Sequence, residues 1–174
     1  MRKAILVVGL ILFSAAGSRA QDTPAAEVSA SYSFLRFGVS DGVNQNGGSV
    51  SVAGNVNHWL GLVGDVGGYH TTQSGATLNT YTYMVGPRFS MRQSGKVTPF
   101  VQVLAGGAHN TAAASGFSAS ANSFAFSAGG GVDLALSKHI ALRPQFDYIG
   151  LRSQGNTLNT LRSSIGIVFR FGGR

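Results

Sequence analysis

The sequence predicts an all-β fold, an eight-stranded antiparallel up-and-down transmembrane β-barrel, and three observations predict it. Apolar residues alternate with small or polar ones in eight separate segments. The connections between those segments are short and long in turn. Charged residues make up only 11% of the chain, against about 25% in soluble domains, so a surface facing water all round is hard to build from it.

The chain opens with Met1-Arg2-Lys3, then the apolar run Ala4 to Phe13, then Ser18-Arg19-Ala20. A basic start, a short apolar stretch and a small-x-small site are the grammar of a cleavable signal peptide. Ten apolar residues make about 15 Å of helix, half of what a bilayer core needs. Residues 1–20 are therefore expected to be a signal peptide and residues 21–174 the barrel domain, with Gln21 as the first mature residue. Cysteine is absent, which excludes a lipid anchor and disulfides.

Each strand is justified by period-two alternation. Between about Glu27 and Phe37, Val28, Ala30, Tyr32 and Phe34 oppose Glu27, Ser29, Ser31 and Ser33. The second segment, about Gly48 to Val56, sets Val50, Val52 and Val56 against Ser49, Ser51 and Asn55. In the third, about Trp59 to Tyr69, Leu60, Leu62 and Val66 oppose Gly61, Asp65 and Gly67. A fourth, about Thr80 to Arg92, separates Tyr81, Tyr83, Val85 and Phe89 from Thr82, Gly86, Arg88 and Ser90. Val101, Val103 and Ala105 oppose Gln102 and Gly106 in the fifth, about Val97 to Ala108. The sixth, about Ser123 to Leu136, divides Phe124, Phe126, Val132 and Leu134 from Ser127, Gly129, Gly131 and Asp133. The seventh, about Ile140 to Arg152, divides Leu142, Pro144, Phe146 and Tyr148 from Arg143, Gln145 and Asp147. In the eighth, about Leu161 to Phe171, Ile165, Ile167 and Phe169 oppose Arg162, Ser164 and Arg170.

Short turns fall at 57–58, 93–96 and 137–139, and long linkers at 38–47, 70–79, 109–122 and 153–160. In outer-membrane barrels the short turns are periplasmic and the loops extracellular. The low-complexity run Ala112 to Gly116 reads as a mobile loop. Pro87 and Pro144 lie inside strands, where each deletes a ladder hydrogen bond, so bulges are expected there. Gly129-Gly130-Gly131 marks a bend or a close-packed wall.

The polar face is glycine, serine and glutamine with isolated arginines and aspartates, and after residue 20 lysine occurs only in turns, at Lys96 and Lys138. That face suits a narrow interior; the aliphatic and aromatic one suits lipid. Phe89 and Phe171 fit the aromatic girdles of membrane barrels. Trp59 shares its parity with Gly61 and Asp65, which places it inside unless the turn shifts it.

Folding about a turn near Lys138 sets Asp133 across from Arg143, and one near Gly95 sets Arg88 across from Gln102. Asp65 is expected at a similar height beside Arg88, and Asp147 within reach of Arg162. The expectation is a lumen filled by interlocked Asp–Arg pairs, with Gln102 and Gln145 as hydrogen-bonding neighbours. Eight strands enclose a space that side chains can fill.

The net charge of +7 falls to +4 without Arg2, Lys3 and Arg19. The basic residues are scattered singly, which argues against nucleic-acid binding. His58, His70, His109 and His139 show no metal-ligand spacing, and no nucleophile–base pair or phosphate-binding glycine loop is found. No catalytic, cofactor or metal site is expected. The reading is a structural or interaction barrel of the bacterial outer membrane. A small diffusion pore and a soluble periplasmic ligand-binding barrel stand as alternatives.

The segments Trp59 to Tyr69, Met84 to Phe89, Thr98 to Val101, Gly129 to Asp133 and Leu142 to Tyr148 together resemble the small outer-membrane β-barrel domain family. This is the superfamily of the transmembrane domain of outer-membrane protein A. The resemblance covers essentially the whole mature chain. It implies a bacterial outer-membrane location, contact with membrane lipid, and insertion by the barrel-assembly machinery; it names no extracellular partner. Two departures from the family pattern are expected: no peptidoglycan-binding domain after the barrel, so that cell-wall tethering is not carried over, and a last strand that continues past the aromatic Phe171 into Gly172-Gly173-Arg174.

Overall fold

The computed structural model describes residues 23–37, 44–73, 76–92, 96–114, 117–153 and 156–172. The signal-peptide segment and the tip Ser115-Gly116 lie outside the described residues. Eight strands follow one another: β1 (Ala26–Phe37), β2 (Asn44–Asn55), β3 (Leu60–Gln73), β4 (Ala76–Ser90), β5 (Val97–Ala114), β6 (Phe117–Ala135), β7 (Ile140–Ser153) and β8 (Asn156–Phe171). Each pairs antiparallel with its chain neighbour, and β8 pairs with β1 to close the barrel.

At the short-turn end, Asn57 and Ser137 perform the same task. The Asn57 Oδ1 accepts from the backbone N–H of Trp59 and Leu60 at 3.0 and 2.8 Å. The Ser137 Oγ accepts from those of His139 and Ile140 at 3.2 and 3.1 Å. A short polar side chain thereby satisfies amides that the ladder leaves open.

At the other end the strands run further than the alternation indicates. Most of the expected linker 109–122 is strand: β5 continues to Ala114, β6 starts at Phe117, and the two stay in register from His109↔Asn122 to Ala114↔Phe117. Linkers 70–79 and 153–160 are likewise mostly strand, and Ala112 to Ala114 belong to β5 rather than to a mobile loop. The reason is chemical. Beyond the lipid both faces of a strand meet water, so the backbone ladder persists while the apolar alternation fades.

No bulge forms at either proline. The β4–β5 register is the same on both sides of Pro87, at Val85↔Ala105 and Arg88↔Gln102. The β6–β7 register is likewise unchanged across Pro144, at Gly131↔Gln145 and Leu134↔Leu142. Each proline pairs fully on its other side, at Leu62↔Pro87 and Pro144↔Ile165. Gly129 belongs to a close-packed wall, since an added Cβ would sit 2.3 Å from the Asp147 carboxylate.

Aliphatic and aromatic side chains cover the outside, among them Val66, Val101, Phe146 and Ile167. This orientation is the reverse of a soluble ligand carrier, whose apolar face lines the interior. Trp59 also sits outside, stacked on Phe89 with ring centroids 5.8 Å apart. The turn breaks the parity that would have turned it inward. The interior is less uniformly polar than the alternation suggests. Leu35, Tyr69, Ala108, Ala125, Ile149 and Leu151 form part of a buried apolar cluster.

Candidate functional site: the ionic lumen

Every acidic residue among the described residues, Glu27, Asp65, Asp133 and Asp147, is buried in the lumen. A carboxylate there requires a cation and hydrogen-bond donors, because water is not available to solvate it. Five arginines of β4, the adjoining turn, β7 and β8 supply them.

The part nearest the short turns centres on Glu27. Its carboxylate meets Arg92 at 2.8 Å, Arg143 at 2.9 Å and Arg88 at 3.5 Å. Arg143 grips Asp133 with a two-pronged fork, Nε to Oδ1 and Nη2 to Oδ2 at 2.7 Å, a geometry that gives both strength and direction. Arg170 stands 3.4 Å from the same carboxylate. The guanidiniums of Arg88 and Arg143 lie over the Phe100 ring, 4.6 and 4.8 Å from its centroid. That ring lets two like charges approach each other by offering each its negative face.

Further along the axis, Arg162 is the hub. Its Nη1 donates to Asp65 at 2.8 Å and to the Tyr69 hydroxyl at 3.1 Å. Its Nε donates to Asp147 at 2.9 Å, and Gln145 donates to the same carboxylate oxygen at 2.7 Å. Gln102 joins the two halves, accepting from Arg88 at 2.9 Å and donating to Asp147 at 3.3 Å. An unbroken path therefore runs Asp133–Arg143–Glu27–Arg88–Gln102–Asp147–Arg162–Asp65. Arg88, Arg143 and Arg162 are only 2%, 1% and 1% exposed, so the charges are sealed from bulk water.

All eight residues expected in the lumen point into it, and the Asp133–Arg143, Arg88–Gln102 and Asp147–Arg162 contacts are present. Asp65 is the exception in partner. Gly61, not Asp65, faces Arg88 in the ladder, and Asp65 faces Met84. Asp65 instead reaches Arg162 on the far wall. Sequence reading left out Glu27, although its parity put it on the polar face. It also missed Tyr69, Arg92, Phe100 and Arg170. The signal for Glu27 is the closing pair Glu27↔Arg170, which no local alternation reveals.

Among the described residues no group of three or more His, Cys, Asp or Glu is placed to hold a metal ion. No helix of the described residues is long and apolar enough to cross a membrane; crossing is by strands. No curated protein matches the sequence.

Small outer-membrane barrels are among the solved structures similar to this chain. The Neisserial surface protein A barrel superposes with a TM-score of 0.74 at 14% identity, covering 84% of this chain and 97% of that one. The attachment invasion locus protein of Yersinia pestis gives 0.64 at 16% identity, covering 86% and 99%. The N-terminal β-barrel domain of Pseudomonas aeruginosa OprF gives 0.55 at 15% identity, covering 82% and 97%. The sequence profile of the outer membrane protein beta-barrel domain matches residues 5–171. The chain belongs to the outer membrane protein β-barrel domain family, and its place is the outer membrane.

Proposed function

We propose that this protein is a non-conducting structural and interaction barrel, a rigid plug of side chains in a closed wall that holds extended hairpins beyond the membrane. The observation that carries the reading is the buried path from Asp133 to Asp65, which fills the cross-section with mutually neutralising charges. The apolar cluster around Leu35, Ile149 and Leu151 adds a second layer that ions would have to cross. In this reading the lumen network is structural, no catalysis takes place, and the extracellular partner meets the extended β5–β6 hairpin.

Residues 1–20 act in this proposal as a signal peptide removed after Ala20, and the barrel-assembly machinery inserts the remainder. The basic start and small-x-small site support the first step. Membership of the outer membrane protein β-barrel domain family supports the second.

Planar-bilayer recording of the refolded barrel tests the sealed lumen. The expected result is an absence of stable channels in the wild-type protein, with flickering currents in Asp133→Ala or Arg143→Ala. Steady wild-type conductance that these substitutions alter would assign the protein instead as a small diffusion pore.

A further inference from the structure

The lipid-facing wall carries a feature that the sealed lumen does not explain. One row across four strands reads Tyr32, Gly48, Gly68, Tyr81, each directly opposite the next. All four face outward; the two tyrosines are more than half exposed. The row beneath them is aliphatic on β1, β2 and β3, at Ala30, Val50 and Val66, and ends on Tyr83 of β4. Two tyrosine walls and a glycine floor thus bound a groove of about 610 Å³. The wall strands stand three strand spacings apart, about 14 Å of backbone.

Packing does not require the floor glycine at Gly68, and crowds a Cβ at Gly48 only against one carbonyl. Inward glycines of this barrel have no space: an added Cβ would lie 2.0 Å from the Tyr83 carbonyl oxygen at Gly106 and 2.1 Å from that of Val103 at Gly86. At Gly68 the nearest atoms would be Tyr81 ring carbons at 3.6 Å, an ordinary contact, and at Gly48 only the Ser31 carbonyl comes near, at 3.3 Å. The fold would therefore accept a side chain at Gly68, and its absence keeps the groove open.

The next row outward changes character on three of its four strands: Asn46, His70 and Asn79 stand mutually opposite, with Phe34 beside Asn46 on β1. His70 Nδ1 and Asn79 Oδ1 are 2.7 Å apart, and the Thr72 hydroxyl lies 3.4 Å from the other ring nitrogen. Asn46, His70 and Asn79 offer amide and imidazole groups, with the Thr72 hydroxyl one row beyond; the row holds no charged side chain, and the exposed Arg36 stands one row further out on β1, opposite Asn44. A groove with apolar sides and a hydrogen-bonding mouth, set at the long-hairpin boundary of a membrane wall, matches a lipid in both its parts.

We infer that this groove is a binding site for one lipid of the extracellular leaflet, whose acyl chain lies over Gly48 and Gly68 and whose hydroxyl-rich, sugar-type head is held at Asn46, His70 and Asn79. Lipid is the occupant because the groove belongs to the same wall that the membrane covers. Tyr32 and Tyr81 flank the chain, and their position near the boundary suits an aromatic with one polar end.

Native mass spectrometry of the full barrel, refolded in micelles, tests the site. The micelles contain either a glucosyl diacylglycerol or a phosphatidylcholine with the same chains, whose head lacks hydrogen-bond donors. Wild type is expected to retain one glycolipid after detergent is stripped, at least tenfold more often than the phosphatidylcholine. Gly68→Leu fills the floor and is expected to lower retention tenfold or more. Gly64→Leu adds the same bulk to the same face, where nothing lies within 4 Å of a Cβ, and is expected to leave retention unchanged. Tyr81→Ala, which removes a wall without adding bulk, is the second variant; each protein is first checked for heat-modifiable migration. Equal retention by Gly68→Leu and wild type would overturn the site, as would equal retention of both lipids by wild type. A dimer that Gly68→Leu dissociates would also overturn it, by giving the groove to a second copy of the chain.

Discussion

The Arg162 guanidinium on β8 meets the Asp65 carboxylate on β3 at 2.8 Å, although β1 and β2 stand between those strands around the wall. The contact crosses the lumen and so braces the barrel against flattening, which ladder bonds between neighbours cannot do. Asp147 holds the same arginine from the adjacent strand at 2.9 Å. A single cation thereby ties the β7–β8 hairpin to β3, which the chain visits some 80 residues earlier.

Removing that cation strands two buried carboxylates. Arg162→Met is expected to cost about 3–5 kcal/mol, the usual penalty for breaking a buried pair from one side. Urea unfolding of the barrel in lipid bilayers measures it. Adding Asp65→Asn and Asp147→Asn to Arg162→Met is expected to recover part of the loss. An unfolding midpoint unmoved by Arg162→Met would show that the network contributes nothing to stability.

Glycines of opposite parity are expected to respond oppositely. Gly106→Ala places a Cβ 2.0 Å from the Tyr83 carbonyl oxygen, and overpacking of this kind costs about 1–3 kcal/mol. Gly64→Ala points its methyl into open space and should stay within about 0.5 kcal/mol of wild type. The same urea experiment on both variants decides, and a larger loss for Gly64→Ala would reverse the assignment of inside and outside.

The depth of the membrane along the wall is also open to measurement. Val101→Arg introduces a charge on the mid-strand lipid face, where Val101 is exposed, and is expected to cost about 2–4 kcal/mol. Thr111→Arg lies on the same face of the same strand, ten residues further out in β5, past the apolar band. Its expected effect is close to zero. Similar costs at both positions would mean that lipid reaches the hairpin extension.

Trp59 is the only tryptophan of the chain and reports on the short-turn end. Stacked on Phe89 on the outer surface, it is expected to be quenched by lipids brominated near the headgroup more than by lipids brominated at the chain end. Strong quenching by aqueous acrylamide with none from brominated lipid would place it away from the bilayer.

Parts of this structure are legible locally. Arg88 and Gln102 share a hairpin, so counting outward from the turn is enough to set them opposite each other, and Asp133 with Arg143 follows by the same count. The outward set Tyr81, Tyr83, Val85 and Phe89 likewise declares itself by parity. The counting fails where the turn breaks the parity, as at Trp59, and where both faces of a strand are wet, as in Thr111 to Ala113. It also cannot show that Pro87 and Pro144 leave the register intact, since that depends on bonds made on the other side of each strand.

The sequence by itself determined the number of strands, their pairing order and which face meets lipid, because these follow from alternation and connection length, which are properties of neighbouring residues. The tertiary structure alone decided that Glu27 gathers three arginines, that Asp65 answers to Arg162, and that Tyr32 and Tyr81 wall a common groove. Those relationships depend on barrel closure and on strand stagger. Both bring together residues whose separation along the chain carries no trace of their distance in space.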